Sequence, residues 1–97
     1  MKVIYKYELA VIPKQFIKMP YDFKILKVDV QKGIPCIWVE HIKEIAEAGI
    51  HVLNSYEFIT VGTGKPFSFV YEDNWEYIGS YMLDEGQFVG HVYLNRG

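Results

Sequence analysis

Alternate positions, not every third or fourth, share a chemical character through most of this chain. Val3, Tyr5, Tyr7 and Leu9 fall on one side of an extended backbone, and Lys2, Ile4, Lys6 and Glu8 on the other. A period of two suits a strand with one buried face and argues against a helical bundle. Pro13 closes this first run, and residues 15–19 form a second one that stops at Pro20.

The next stretch predicts a hairpin. Gln31-Lys32-Gly33 fits a three-residue loop with Gly33 in the left-handed position and a G1 bulge. That register sets Val30 opposite Ile34, Val28 opposite Cys36, Leu26 opposite Trp38 and Lys24 opposite Glu40. Apolar meets apolar and plus meets minus, so the pairing is self-consistent. The pattern breaks at residues 42–49. Ile42, Ile45 and Ala46 stand at helical spacing and Gly49 is a plausible stop, which predicts a helix of at most two turns. Residues 50–53 fit a strand or a loop equally. Residues 56–61 alternate again and run into Gly62-Thr63-Gly64-Lys65-Pro66, a turn by composition. Residues 67–76 read as an irregular loop, with a short strand at 67–71 and with Glu72, Asp73 and Glu76 on a solvated surface.

A second hairpin closes the chain. Asp84-Glu85-Gly86 predicts another three-residue loop, pairing Met82 with Phe88, Ser80 with Gly90 and Ile78 with Val92. Ile78, Met82, Phe88, Val92 and Leu94 then form the core face. Tyr77, Gly79, Tyr81, Val89, His91 and Tyr93 form the other. A slip of one residue would mix the two sets, and the pattern selects against it. The reading is a single domain over residues 1–97, mainly β, α+β only at the margin. It is a compact antiparallel β-sheet or sandwich of six or seven strands with one short helix.

Charge and composition limit what such a domain can do. The chain has 97 residues, 51% hydrophobic and 16% aromatic, with a net charge of −2. So many aromatics and so little net charge exclude disorder. No apolar run reaches the ~18 residues of a membrane span. Met1-Lys2-Val3 leads straight into alternating residues, so no secretory leader is expected. The small net charge hides an asymmetry. Residues 1–32 hold seven lysines against Glu8, Asp22 and Asp29, a balance of +4. The rest carries Lys43, Lys65 and Arg96 against nine acids, a balance of −6. Local cancellation across neighbouring strands is one reading of this. A dipolar surface suited to head-to-tail association is the other. With a single arginine, specific DNA or RNA binding is not expected.

Few constellations could carry chemistry. His41, His51 and His91 lack metal-ligand spacing, so no metal and no cofactor are expected. Cys36 lies between Pro35 and Ile37 and reads as a small core hydrophobe. No serine sits in a nucleophile elbow, and no catalytic residue is assigned. The outer face of the last hairpin is the leading candidate for ligand or subunit binding; the alternative is that it packs beneath the short helix or another sheet, with His91 satisfied by a tyrosine hydroxyl. It presents Tyr77, Tyr81, His91 and Tyr93, and Gly79 opposite His91 leaves space above the imidazole. Gly62, Thr63, Gly64 and Lys65 form a candidate phosphate turn, although the four-residue spacing of a P-loop is absent and Pro66 follows.

Several segments resemble a family of short bacteriophage-encoded proteins known only as a domain of unknown function. They are Met1-Lys2-Val3-Ile4-Tyr5-Lys6-Tyr7-Glu8-Leu9, Ile25-Leu26-Lys27-Val28-Asp29-Val30-Gln31, Ile34-Pro35-Cys36-Ile37-Trp38, Gly62-Thr63-Gly64-Lys65-Pro66, Tyr77-Ile78-Gly79-Ser80-Tyr81 and Val89-Gly90-His91-Val92-Tyr93. The resemblance runs end to end except at about residues 40–56, where the helix-like segment stands in place of a shorter polar link. It implies a phage or prophage origin and a host-cytoplasm setting, and it brings no catalytic residue. In that setting the expectation is a non-enzymatic binding protein, a homo-oligomer. It would antagonise a host factor or immune system by sequestering a nucleotide-like signal or by binding a host protein. A structural or assembly protein of the virion is the alternative, and a small nucleotide-degrading enzyme a third.

Overall fold

The structure, a computed structural model, describes residues 1–69 and 74–96. Among these residues seven strands form two antiparallel sheets. The strands are β1 (Lys2–Glu8), β2 (Lys14–Pro20), β3 (Lys24–Gln31), β4 (Ile34–Ile42), β5 (Leu53–Gly62), β6 (Trp75–Leu83) and β7 (Phe88–Asn95). A single helical turn, α1 (Lys43–Ala46), follows β4, and a 3₁₀ turn at Ile50–Val52 leads into β5. The helix is thus shorter than residues 42–49 allow. It ends at Glu47, and Gly49, at φ 116°, introduces the 3₁₀ turn.

The first sheet has the order β1-β4-β3 and the second β2-β5-β7-β6. Their inner faces meet in one core of Leu9, Met19, Ile37, Val39, Phe58, Tyr81, Val92 and Leu94. Full burial of side chains this size contributes roughly 1.5–3 kcal/mol each, which makes this layer the main source of stability. Of the sequential strand pairs only β3/β4 and β6/β7 are sheet neighbours. β1 passes into β2 through Leu9–Pro13 and thereby changes sheets, with the Leu9 N–H still held by the Pro35 carbonyl at 2.8 Å. At the opposite side β3 and β6 run next to each other without a hydrogen-bonded ladder. A Cβ at Gly79 on β6 would stand 3.0 Å from Val28 Cγ2 on β3.

Both hairpins differ from their expected register in the same way. Gln31 pairs with Ile34, so the first loop is the two-residue turn Lys32-Gly33 and not a three-residue loop. Positive φ at both positions, 52° and 79°, is the signature of a type I′ turn, whose twist matches the strands. Cys36 therefore faces Asp29, and Trp38 faces Lys27. A bulge between Ile25 and Lys27 absorbs Leu26, and beyond it Lys24 does pair with Glu40. In the second hairpin Leu83 pairs with Phe88 across a four-residue connection, Asp84 to Gln87. Met82 consequently lies opposite Val89, the slip that the pattern argued against. A bulge between Tyr77 and Gly79 takes up Ile78, and from Tyr77↔Tyr93 outward the expected register returns.

The slip exchanges two side chains. Met82, expected in the core, is 63% exposed, and Tyr81, expected on the outer face, is 2% exposed. The reason is steric. The Tyr81 ring covers Gly90, where a Cβ would come within 2.9 Å of it. A flexible thioether on the outside costs little, whereas the ring fills a gap that only glycine leaves. Residues 67–69 form no strand, and Val70, Tyr71, Glu72 and Asp73 lie outside the described residues.

Charges of opposite sign meet across strands. Lys2 pairs with Glu40 at 3.3 Å, Lys14 with Glu57 at 3.1 Å and Arg96 with Glu76 at 2.7 Å. Two of the seven lysines of residues 1–32, Lys2 and Lys14, thus meet acids on β4 and β5, and Lys27 pairs with Asp29 on its own strand, in line with local cancellation for those three.

Candidate functional site

Three of the five expected binding residues come together on the outer face of the second sheet. Tyr77 and Tyr93 face each other on β6 and β7 with ring centroids 5.3 Å apart. The His91 imidazole stands beside them, its Nδ1 3.1 Å from the Tyr77 hydroxyl and its Nε2 2.7 Å from Thr63 Oγ1. One hydroxyl donates to the unprotonated ring nitrogen and the other accepts from the ring N–H. Phe67 and Phe69 extend the cluster, packing on Tyr93 at 5.6 and 5.5 Å, and Trp75 adds to it through Phe69. The other two residues are elsewhere. Tyr81 projects from the opposite face into the core. Gly79 faces Val92, not His91, because of the bulge, and Ser80 holds the position opposite His91. The space above Gly79 is filled by Val28.

The glycine turn is tied to this cluster. Thr63 donates its N–H to the Val89 carbonyl at 3.1 Å, and the Lys65 N–H returns to the Gly62 carbonyl at 3.1 Å. Two of the backbone donors that would converge on a phosphate are therefore engaged within the protein. The Thr63 side chain reaches His91, so the turn and the aromatic face form one unit.

A groove of about 690 Å³ opens beside that unit, at the edge of β5 beyond its pairing with β2. Val11 and Ile12 line it on the segment before β2, Phe67 and Phe69 on the segment after β5, with Tyr81 and Phe88 between the sheets. Among the described residues Lys65 is the one charged residue in its wall, and Thr60 and Ser68 add hydroxyls. Burial raises the Tyr81 hydroxyl above its ordinary pKa, with the Thr60 side chain opposing this. That oxygen is nonetheless shut off from solvent without a hydrogen-bond partner of good geometry. The groove residues Val11, Ile12, Phe67 and Phe69 escaped the sequence reading. Their only signal was apolar residues next to Pro13 and Pro66, where a loop is usually polar.

A second polar cluster lies on the inner face of the first sheet. His41 is 1% exposed, and its Nδ1 lies 2.8 Å from the Asp22 carbonyl oxygen. A carbonyl can only accept, so the ring proton is on Nδ1, and Nε2 accepts from the Tyr7 hydroxyl at 2.9 Å. Burial, then the neighbouring Tyr5 and Asp22, push the Tyr7 pKa up to about 12. One Asp22 carboxylate oxygen accepts from the Ile42 N–H, and the other is buried without a partner.

Among the described residues no three His, Cys, Asp or Glu side chains gather in a way that could hold a metal ion. No helix of the described residues is long and apolar enough to cross a membrane. No curated protein and no solved structure matches the chain. Its start, its glycine turn and its closing hairpin all lie within one family match. The family described as a domain of unknown function (DUF7352) matches residues 1–97, the helical turn included, and the chain belongs to that family.

Proposed function

We propose that this chain is a small non-enzymatic binding protein that holds a ring-bearing organic anion in the groove beside β5. The carrying observation is the chemistry of the groove wall, which among the described residues combines the rings of Phe67, Phe69, Tyr81 and Phe88 with one cation, Lys65. Rings supply broad contact area at low entropy cost, and the lysine supplies one ion pair for an anionic substituent. A nucleotide-like molecule has both parts. Binding is favoured over turnover by the neighbouring turn, since the N–H groups of Thr63 and Lys65 point into the protein and are not free to stabilise a developing oxyanion. On this reading a phage-encoded protein in the host cytoplasm, assembled as a homo-oligomer, antagonises host defence by sequestering a small signal. The ion pairs across strands lend less support to the virion-assembly alternative, which drew on opposed charge at the two ends.

Native mass spectrometry of the purified protein tests this reading. A small anion that co-purifies, leaves unchanged on heating and is lost in Phe67→Ala and Lys65→Ala variants that remain folded supports it. A protein that carries nothing and takes up no nucleotide from a panel, or a Phe67→Ala variant that keeps the bound molecule, overturns it. Capture of a host protein by an unliganded groove also counts against it.

A further inference from the structure

We propose that β1 is the contact of a two-fold dimer, in which the same strand of two copies pairs antiparallel and joins their first sheets into one of six strands. β1 is an edge strand, bonded on one side to β4 alone. The Met1 carbonyl accepts from Lys43 and the Leu9 N–H donates to Pro35, so the odd-numbered residues point their backbone groups at β4. The even-numbered residues Lys2, Ile4, Lys6 and Glu8 therefore aim their N–H and C=O groups outward. Among the described residues, nothing in the backbone bonds to that side.

An added antiparallel strand must place even residues opposite even residues, which leaves few registers. Centred on Tyr5, Lys2 faces Glu8 of the second copy and Ile4 faces its Lys6, and by symmetry each pair occurs twice. Shifting by two residues in one direction sets Lys2 against Lys6 twice. Shifting by two in the other sets Lys6 against Lys6. Among registers that keep at least five residues of each β1 strand paired, only the one centred on Tyr5 puts opposite charges at both ends, and like charges directly opposite are destabilising. Lysines on an edge ordinarily discourage pairing. Here Glu8, which forms no ion pair among the described residues, turns Lys2 into a register key. Each facing even pair exchanges two backbone hydrogen bonds. Ile4, 56% exposed, gains cover from the stem of the facing Lys6.

This names the surface behind the homo-oligomer proposed above and does not depend on the groove. Sedimentation velocity and equilibrium of the wild type and three variants test it. The wild type is expected to be a dimer that weakens as salt is raised. Glu8→Lys sets like charges at both ends and loosens the dimer by roughly tenfold or more. Adding Lys2→Glu to it swaps the pair and restores association. Ile4→Pro removes an outward donor without touching the β1–β4 ladder, and yields a folded monomer. A wild type that stays monomeric at high protein concentration overturns the proposal. So does a dimer indifferent to both Glu8→Lys and Ile4→Pro. Ligand binding measured on the same samples keeps this result separate from the groove, since a monomer that still binds a nucleotide rejects the dimer alone.

Discussion

His41 has no aqueous alternative to its two protein partners, so the Tyr7 hydroxyl is a structural donor and not a surface ornament. Tyr7→Phe strands Nε2 in the interior, and a lost partner at a buried acceptor costs about 1–3 kcal/mol. Urea unfolding at neutral pH should show that loss as a lower midpoint with an unchanged slope. The same tyrosine predicts alkaline behaviour. Its pKa is 10.0 when unperturbed and about 12 in the fold, so on raising the pH the unfolded chain releases this proton first. The unfolded state then binds fewer protons, and stability falls with pH. Tyr7 contributes no pH dependence below about pH 10 and a loss of stability from there towards 12. In Tyr7→Phe the alkaline decline should be shallower than in the wild type; an identical decline rejects the assignment. None of this was legible in the sequence. Tyr7 and His41 are separated by 33 intervening residues and meet only because β1 and β4 pair, and period-two reading reports which face a residue takes but not what stands beside it.

At the level of elements, strands were readable and loops were not. Alternation placed β1, β2, β5 and the two hairpins, because burial of one face leaves a direct mark on residue order. The turns failed for a specific reason. Gln31-Lys32-Gly33 and Asp84-Glu85-Gly86 end in glycine, which suits a three-residue loop, yet lysine and two acids occupy positive φ here as well. L residues enter that region at a cost, so sequence alone gives no warning that they do. Each hairpin then corrects itself through a bulge, at Leu26 and at Ile78, which is why Lys24 opposite Glu40 was right while every expected pair nearer a turn, Ile78 with Val92 included, was off by one. The candidate site inherited that error. Tyr77, His91 and Tyr93 share a face as expected, whereas Tyr81 and Gly79 lie on the slipped side of the bulge. The strain at Lys32, φ 52°, is open to test. Asparagine enters the left-handed region more readily, and Asn-Gly is the preferred type I′ pair. Lys32→Asn should raise stability by about 0.5–1 kcal/mol in urea titrations. An unchanged or lowered midpoint contradicts the two-residue turn.

Across the whole molecule, the two sheets are held at one side by the seam between β3 and β6 and at the other by the chain passing from β1 into β2. The seam has no ladder of hydrogen bonds, so its closeness depends on side-chain volume. Gly79 sets that volume. It holds φ +150°, and an added methyl would sit 3.0 Å from Val28 Cγ2 and 3.1 Å from Val28 Cβ. Gly79→Ala therefore carries two penalties, a backbone conformation that alanine resists and an overpacked contact, the second alone costing about 1–3 kcal/mol. Val28→Ala removes the overpacked neighbour and leaves the backbone term. The double variant should accordingly lose less stability than the sum of the two single variants, by an interaction of about 1 kcal/mol. Because β6 carries Tyr77 on one face and Tyr81 on the other, displacement of this strand should also loosen the His91 cluster and the groove together. Amide hydrogen exchange would register that as faster exchange along β6 and β7 in Gly79→Ala and recovery in the double variant. Strict additivity, with exchange altered only at residue 79, would mean that the sheets are held by the core alone and that the seam is incidental.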